Sequence, residues 1–157
     1  KNLLKTQPAQ AIQTIRPFLS HSQFSIMVSA CSGKEGYFFR QKFIDLEKLI
    51  ASTPVTYEQD GKGDDAIVYL HYFFGGCDWY ITEKDVDGGV QQTFGYVVLF
   101  GDKQNAELGY ICITEITQCG AELDLYFTPC PLAEIKLINI AAKLPVTLWV
   151  TGLTLIY

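Results

Sequence analysis

At 157 residues, with 48% hydrophobic and 18% charged side chains, the chain has the size and composition of one folded domain with a real core, which excludes a disordered protein. Its apolar runs are too short to span a bilayer, and Lys1 to Thr14 lacks the apolar centre of a signal peptide, so a cytosolic protein without membrane contact is expected. The net charge of −5 is uneven: Glu58 to Asp124 carries thirteen acids against Lys62, Lys84 and Lys103, a balance of −10, and a surface of that sign repels nucleic acid and attracts basic partners or cations.

Gln7-Pro8 reads as a helix entry, because proline is tolerated at the first helical position and Ala11, Ile12, Ile15, Phe18 and Leu19 follow at helical spacing. Pro17 should end or kink that helix. "FSIMVSAC" alternates Phe24, Ile26, Val28 and Ala30 with Ser25, Met27, Ser29 and Cys31, which suits a half-buried strand, with a short helix as the alternative. After Ser32 and Gly33, the apolar stripe of Phe39, Phe43, Leu46 and Ile50 predicts an amphipathic helix. "TPVTYEQDGKGDD" then reads as a linker or long turn.

From Ala66 the texture changes. "AIVYLHYFF", "DWYITE", "TFGYVVLFG" and "LGYICI" are short β-rich runs separated by turn residues, the pattern of an antiparallel meander. The first is apolar on both faces and predicts a central strand covered on both sides. Short helices are expected after Thr114, ending at Gly120, and from Pro131. The expected fold is α+β: an antiparallel meander of about four to six strands covered by N-terminal helices, with short helices after the sheet. The expected organisation is a single domain over residues 1–157, helical over 1–54 and sheet-bearing over 55–140. Residues 141–157 form an apolar tail, "LPVTLWVTGLTLIY" from Leu144, that pairs with the sheet or contacts another chain.

Several side chains are candidates for chemistry. Asp78, Glu83, Asp85 and Asp87 cluster in sequence, and carboxylates so grouped can bind a divalent metal or act as acid and base. Neither "DGKGDD" nor "DVDGG" extends into a calcium-binding loop, so a solvated turn with Gly88 and Gly89 at positive φ is the simpler reading. Plain alternation sets Glu83 on the face of Trp79, where a buried carboxylate needs a partner such as Lys84 or Arg40. Tyr80, Tyr96, Tyr110 and Tyr126 recur once per expected strand and form a possible stacking row, though the acidic surroundings disfavour nucleic-acid binding. His71 and Cys77 lie six positions apart, and a lone histidine in an aromatic strand is more often structural than catalytic. The five cysteines have no metal-ligand spacing with each other or with His21 or His71 and read as reduced thiols; no cofactor or metal is expected.

"DWYITE" (Asp78 to Glu83), "FGYVV" (Phe94 to Val98), "AELGYICITEI" (Ala106 to Ile116) and "DLYFTPCPLAEI" (Asp124 to Ile135) occur in that order. Together they resemble an uncharacterised family of small proteins, a domain of unknown function found on phages, plasmids and other mobile elements of bacteria. The resemblance implies a role in element maintenance or in evading host defence, and it brings no catalytic residue with it. The resulting expectation is a non-enzymatic interaction protein that binds a basic protein partner, such as a restriction or CRISPR-type nuclease complex, through Asp60, Asp64, Asp65, Asp85, Asp87 and Asp102. Trp79, Tyr80, Glu83, Tyr96 and Tyr110 form a second candidate site for a ligand or for structure. The alternatives are a small metal-assisted enzyme using Asp78, Glu83 and Asp85, or an assembly module. The sequence leaves the oligomeric state open.

Overall fold

A computed structural model describes residues 3–141 of the chain, so the apolar segment from Leu144 lies outside the described residues. Among the described residues, five helices and two antiparallel sheets make an α+β fold. Helices α1 (Leu3–Ile15), α2 (His21–Ala30) and α3 (Gly36–Ser52) come first, with a 3₁₀ turn at Arg16–Phe18. A second 3₁₀ turn, Gly63–Asp65, precedes strands β1 (Ile67–Val68), β2 (Leu70–Phe74), β3 (Cys77–Glu83), β4 (Thr93–Val98) and β5 (Glu107–Ile111). Helix α4 (Ile113–Gln118), strands β6 (Glu122–Leu123) and β7 (Cys130–Pro131) and helix α5 (Leu132–Ala141) follow. No helix among the described residues is long and apolar enough to cross a membrane.

The main sheet has the order β5-β4-β3-β2-β6 and is antiparallel throughout, so the β3–β4 hairpin lies at its middle. Its inner face carries Leu70, Tyr72, Trp79, Ile81 and Val97 against Ile15, Phe18, Met27, Phe43 and Leu46 of the N-terminal helices. This burial explains why those helices form: apolar positions recur at three and four residues, and docking on the sheet removes them from water. The buried Tyr72 hydroxyl donates to the Phe18 carbonyl at 2.7 Å, tying the 3₁₀ turn to β2 of the sheet. A smaller cluster on the opposite face packs Leu132 and Ile135 of α5 against Val68, Tyr96 and Val98.

Three expectations are corrected. Helix α1 starts at Leu3, so Pro8 sits inside it; one backbone bond is forgone, and burial of Ala11 and Ile15 carries the helix onward. Pro17 falls in the 3₁₀ turn where α1 stops. "FSIMVSAC" lies in helix α2 rather than in a strand. The Ser20 hydroxyl caps that helix by accepting from the Gln23 N–H at 3.1 Å, and Phe24 meets Phe43 edge to face at 6.3 Å, so capping and packing override the alternation. Gln23 also does a strand's work: its side chain donates to the Leu123 carbonyl at 2.7 Å and accepts the Leu123 N–H at 2.9 Å, covering the β6 edge. Finally, "AIVYLHYFF" is not one strand, because Ile67 and Val68 leave the main sheet to pair with Pro131 and Cys130.

Candidate functional site

Register decides which side chains share a face. Tyr80 opposes Tyr96 and Ile81 opposes Gly95, but Glu83 opposes Phe94, so Thr82 is an extra residue and β3 carries a bulge. Alternation alone would leave Glu83 beside Trp79; the bulge moves it to the face of Tyr80, Phe94 and Tyr96. Glycine at 95 is required here, since a Cβ would fall 2.0 Å from the Tyr80 carbonyl oxygen, a backbone atom that cannot give way.

On this outer face a recess of about 520 Å³ opens between the segment 54–66 and the ends of β3, β4 and β5. Thr82 and Glu83 line it from β3, Phe94 from β4, and Leu108 and Tyr110 from β5. Tyr57, Gln59 and Asp60 line it from the loop. The loop is pinned by its own polar groups. Gln59 Nε2 donates to the carbonyls of Ile67 (2.8 Å) and Thr82 (2.7 Å), and Gln59 Oε1 accepts the Ile67 N–H at 2.7 Å. Val55 bridges to Lys84, whose N–H donates to Pro54 and whose carbonyl accepts from Thr56. Across the mouth, the Tyr57 and Tyr110 hydroxyls hydrogen-bond at 2.8 Å. Tyr57 takes a left-handed backbone at φ 78°, a strained state for an aromatic residue that this bracing sustains.

Glu83 is 4% exposed, and its Oε2 accepts the Gln59 backbone N–H at 2.7 Å. Neither expected cation reaches it. Lys84 Nζ donates instead to the Ile50 and Ala51 carbonyls at the end of α3, at 2.7 and 3.3 Å, where the helix dipole favours positive charge. The Arg40 guanidinium donates to the Cys31 carbonyl. His71 pairs with Asp78 and Asp124, and Lys136 with Asp64, and among the described residues no basic side chain reaches Glu83. At the mouth, the Tyr110 phenol is raised above its ordinary pKa chiefly by the Tyr57 hydroxyl bond, with smaller contributions from desolvation and from Tyr57, Glu83 and Asp60 nearby.

The remaining candidates disperse. Trp79 packs on the inner face. Tyr80 and Tyr96 neighbour each other at 6.3 Å, but Tyr80 stacks on His71 at 4.6 Å, and Tyr96 lies under α5 with Lys136 Nζ 5.4 Å from its ring. Burial, with Asp78 and other nearby groups, pushes the Tyr80 phenol up to about 12. Tyr126 lies beyond β6, off the sheet, so the tyrosines form no continuous row. His71 is clamped by Asp78 (Nε2 to Oδ1, 2.8 Å) and Asp124 (Nδ1 to Oδ2, 3.1 Å). Burial alone would lower its pKa; the bonds and charges of the two carboxylates outweigh it and raise the net value. Cys77 alternates to the opposite face from His71 and accepts the Phe100 N–H, so the two form no nucleophile–base pair.

The six acids expected to make one surface separate too. Asp60 lines the recess, Asp64 and Asp65 lie in the following 3₁₀ turn, and Asp64 pairs with Lys136 at 2.5 Å. Asp85 caps the β3–β4 loop by accepting the N–H groups of Asp87 (3.2 Å) and Gln92 (3.0 Å), while Gly88 and Gly89 take the expected positive φ of 74° and 83°. Asp102 caps the β4–β5 turn, at the other end of the antiparallel pair, by accepting from Gln104 and Asn105. Asp78, Glu83 and Asp85 do not converge, and no trio of histidine, cysteine or carboxylate among the described residues is placed to hold a metal. Sequence reasoning singled out Glu83 and Tyr110 but missed Tyr57 and Gln59, which sit in a stretch whose glycines and acids conceal any pattern.

No family model, curated protein or solved structure matches the chain, so the resemblance to mobile-element proteins rests on the four motifs quoted above.

Proposed function

We propose that the chain is a non-enzymatic binding protein of the cytosol that engages a protein partner with a basic surface, and that the recess at Glu83 is the centre of that contact. One observation carries this reading: a buried carboxylate lines an open recess without a counter-ion among the described residues. Taking a carboxylate out of water is costly unless a cation or further hydrogen bonds offset it, and a partner's basic group would supply both. Asp60 in the lining and Asp65 beside it add attraction at longer range, which speeds encounter and weakens with salt.

The mobile-element motifs direct the reading further, to a partner in host defence whose basic nucleic-acid channel would accept the acids in place of phosphates. The test is affinity capture from a bacterial lysate at low and high salt, using the unaltered chain and Glu83→Gln. The substitution removes the charge and keeps an acceptor for the Gln59 N–H. A basic protein held at low salt, released at high salt and lost with Glu83→Gln supports the reading. Equal capture by both chains, or no salt-sensitive protein at all, overturns it.

A further inference from the structure

Resting on that reading, we propose that the group received by the recess is a guanidinium, the end of an arginine side chain on the partner. Three ligand classes compete for the space, and the lining separates them. Anions are opposed by Glu83 and Asp60. A bare metal ion finds two carboxylates and no third carboxylate, histidine or cysteine among the described residues. A lysine ammonium is compact and strongly hydrated, so it must regain several acceptors at close range when it leaves water.

A guanidinium matches the lining in each respect. It is planar and weakly hydrated, so entering a half-apolar recess costs it less. Its edge can donate to Glu83, whose Oε2 is committed to Gln59 while Oε1 has no protein donor among the described residues. Its face can lie against Phe94 or Tyr110, whose rings meet edge to face at 5.5 Å and offer π surface to a cation. Leu108 offers apolar surface to the methylenes of the side chain. At about 520 Å³ the recess also has room for residues flanking the arginine. The exposed Tyr57–Tyr110 hydroxyl bond joins two lining residues, so an entering side chain meets both rings.

The experiment is calorimetric titration of the intact chain with three capped amino-acid amides: arginine, lysine and the neutral arginine analogue citrulline. Arginine amide should bind at least about tenfold more tightly than lysine amide, and citrulline amide should not bind measurably. Glu83→Gln should weaken arginine binding about tenfold or more. Tyr110→Ala, at a site 60% exposed on the edge strand, should weaken it by a smaller factor. Lysine binding as tight as arginine, binding unchanged by both substitutions, or no arginine binding up to about 50 mM would each overturn the inference. The two proposals fail separately. Arginine binding without a captured basic protein sinks the partner reading and keeps the guanidinium site; capture lost with Glu83→Gln but no preference for arginine does the reverse.

Discussion

The two faces of the main sheet are built for different ends. The inner face is closed: Leu70, Tyr72 and Ile81 are nearly inaccessible beneath the N-terminal helices, and the buried hydroxyls of Tyr72 and Thr93 have their acceptors. The outer face is covered in part by α5 and otherwise holds a clamped histidine and a recess with an unbalanced carboxylate. Apolar burial gives stability without specificity, whereas half-buried polar groups give specificity and cost stability. The contrast teaches where to look for function when every inner-face group is already satisfied.

The comparison breaks most visibly on the inner face. Phe43→Ala should cost about 3–5 kcal/mol, because a fully buried ring at the helix–sheet contact leaves a cavity its neighbours cannot fill; denaturant unfolding measures it. Tyr72→Phe keeps the ring and deletes the hydroxyl, leaving the Phe18 carbonyl short of a donor, and should cost about 1–2 kcal/mol by the same measurement.

On the outer face the sign should reverse. Glu83→Gln should leave the fold unchanged or stabilise it by about 1 kcal/mol, since it removes an unbalanced buried charge while keeping the acceptor for Gln59. A loss of several kcal/mol would mean that the carboxylate is structural. The His71 clamp makes the smallest contribution, and it depends on pH. Its folded pKa is raised, so its stabilisation is complete below the unfolded value of about 6.5 and is lost as pH rises through the folded value. The melting temperature of the unaltered chain should therefore fall across that window, and His71→Gln should flatten the fall. A profile that rises over the same window would contradict the clamp.

The amphipathic stripe of α3 and the β-rich runs from Ala66 were legible because periodicity and β propensity are local properties, and so was the α+β class that follows from their order. Helix α2 was legible only as the alternative to a strand, because its alternation competes with a cap at Ser20 and a contact with Phe43 of the next helix. The candidate site divides the same way. Sequence alone marked Glu83 as the acid that needs a partner and gave the region its negative sign. Only the tertiary structure decided which face Glu83 occupies, because one extra residue in β3 reverses its side and a period-two pattern cannot reveal a bulge. Tertiary structure alone also made the recess, since Gln59 and Tyr57 reach it through bonds to Ile67, Thr82, Glu83 and Tyr110, and long-range hydrogen bonds leave no trace in local spacing.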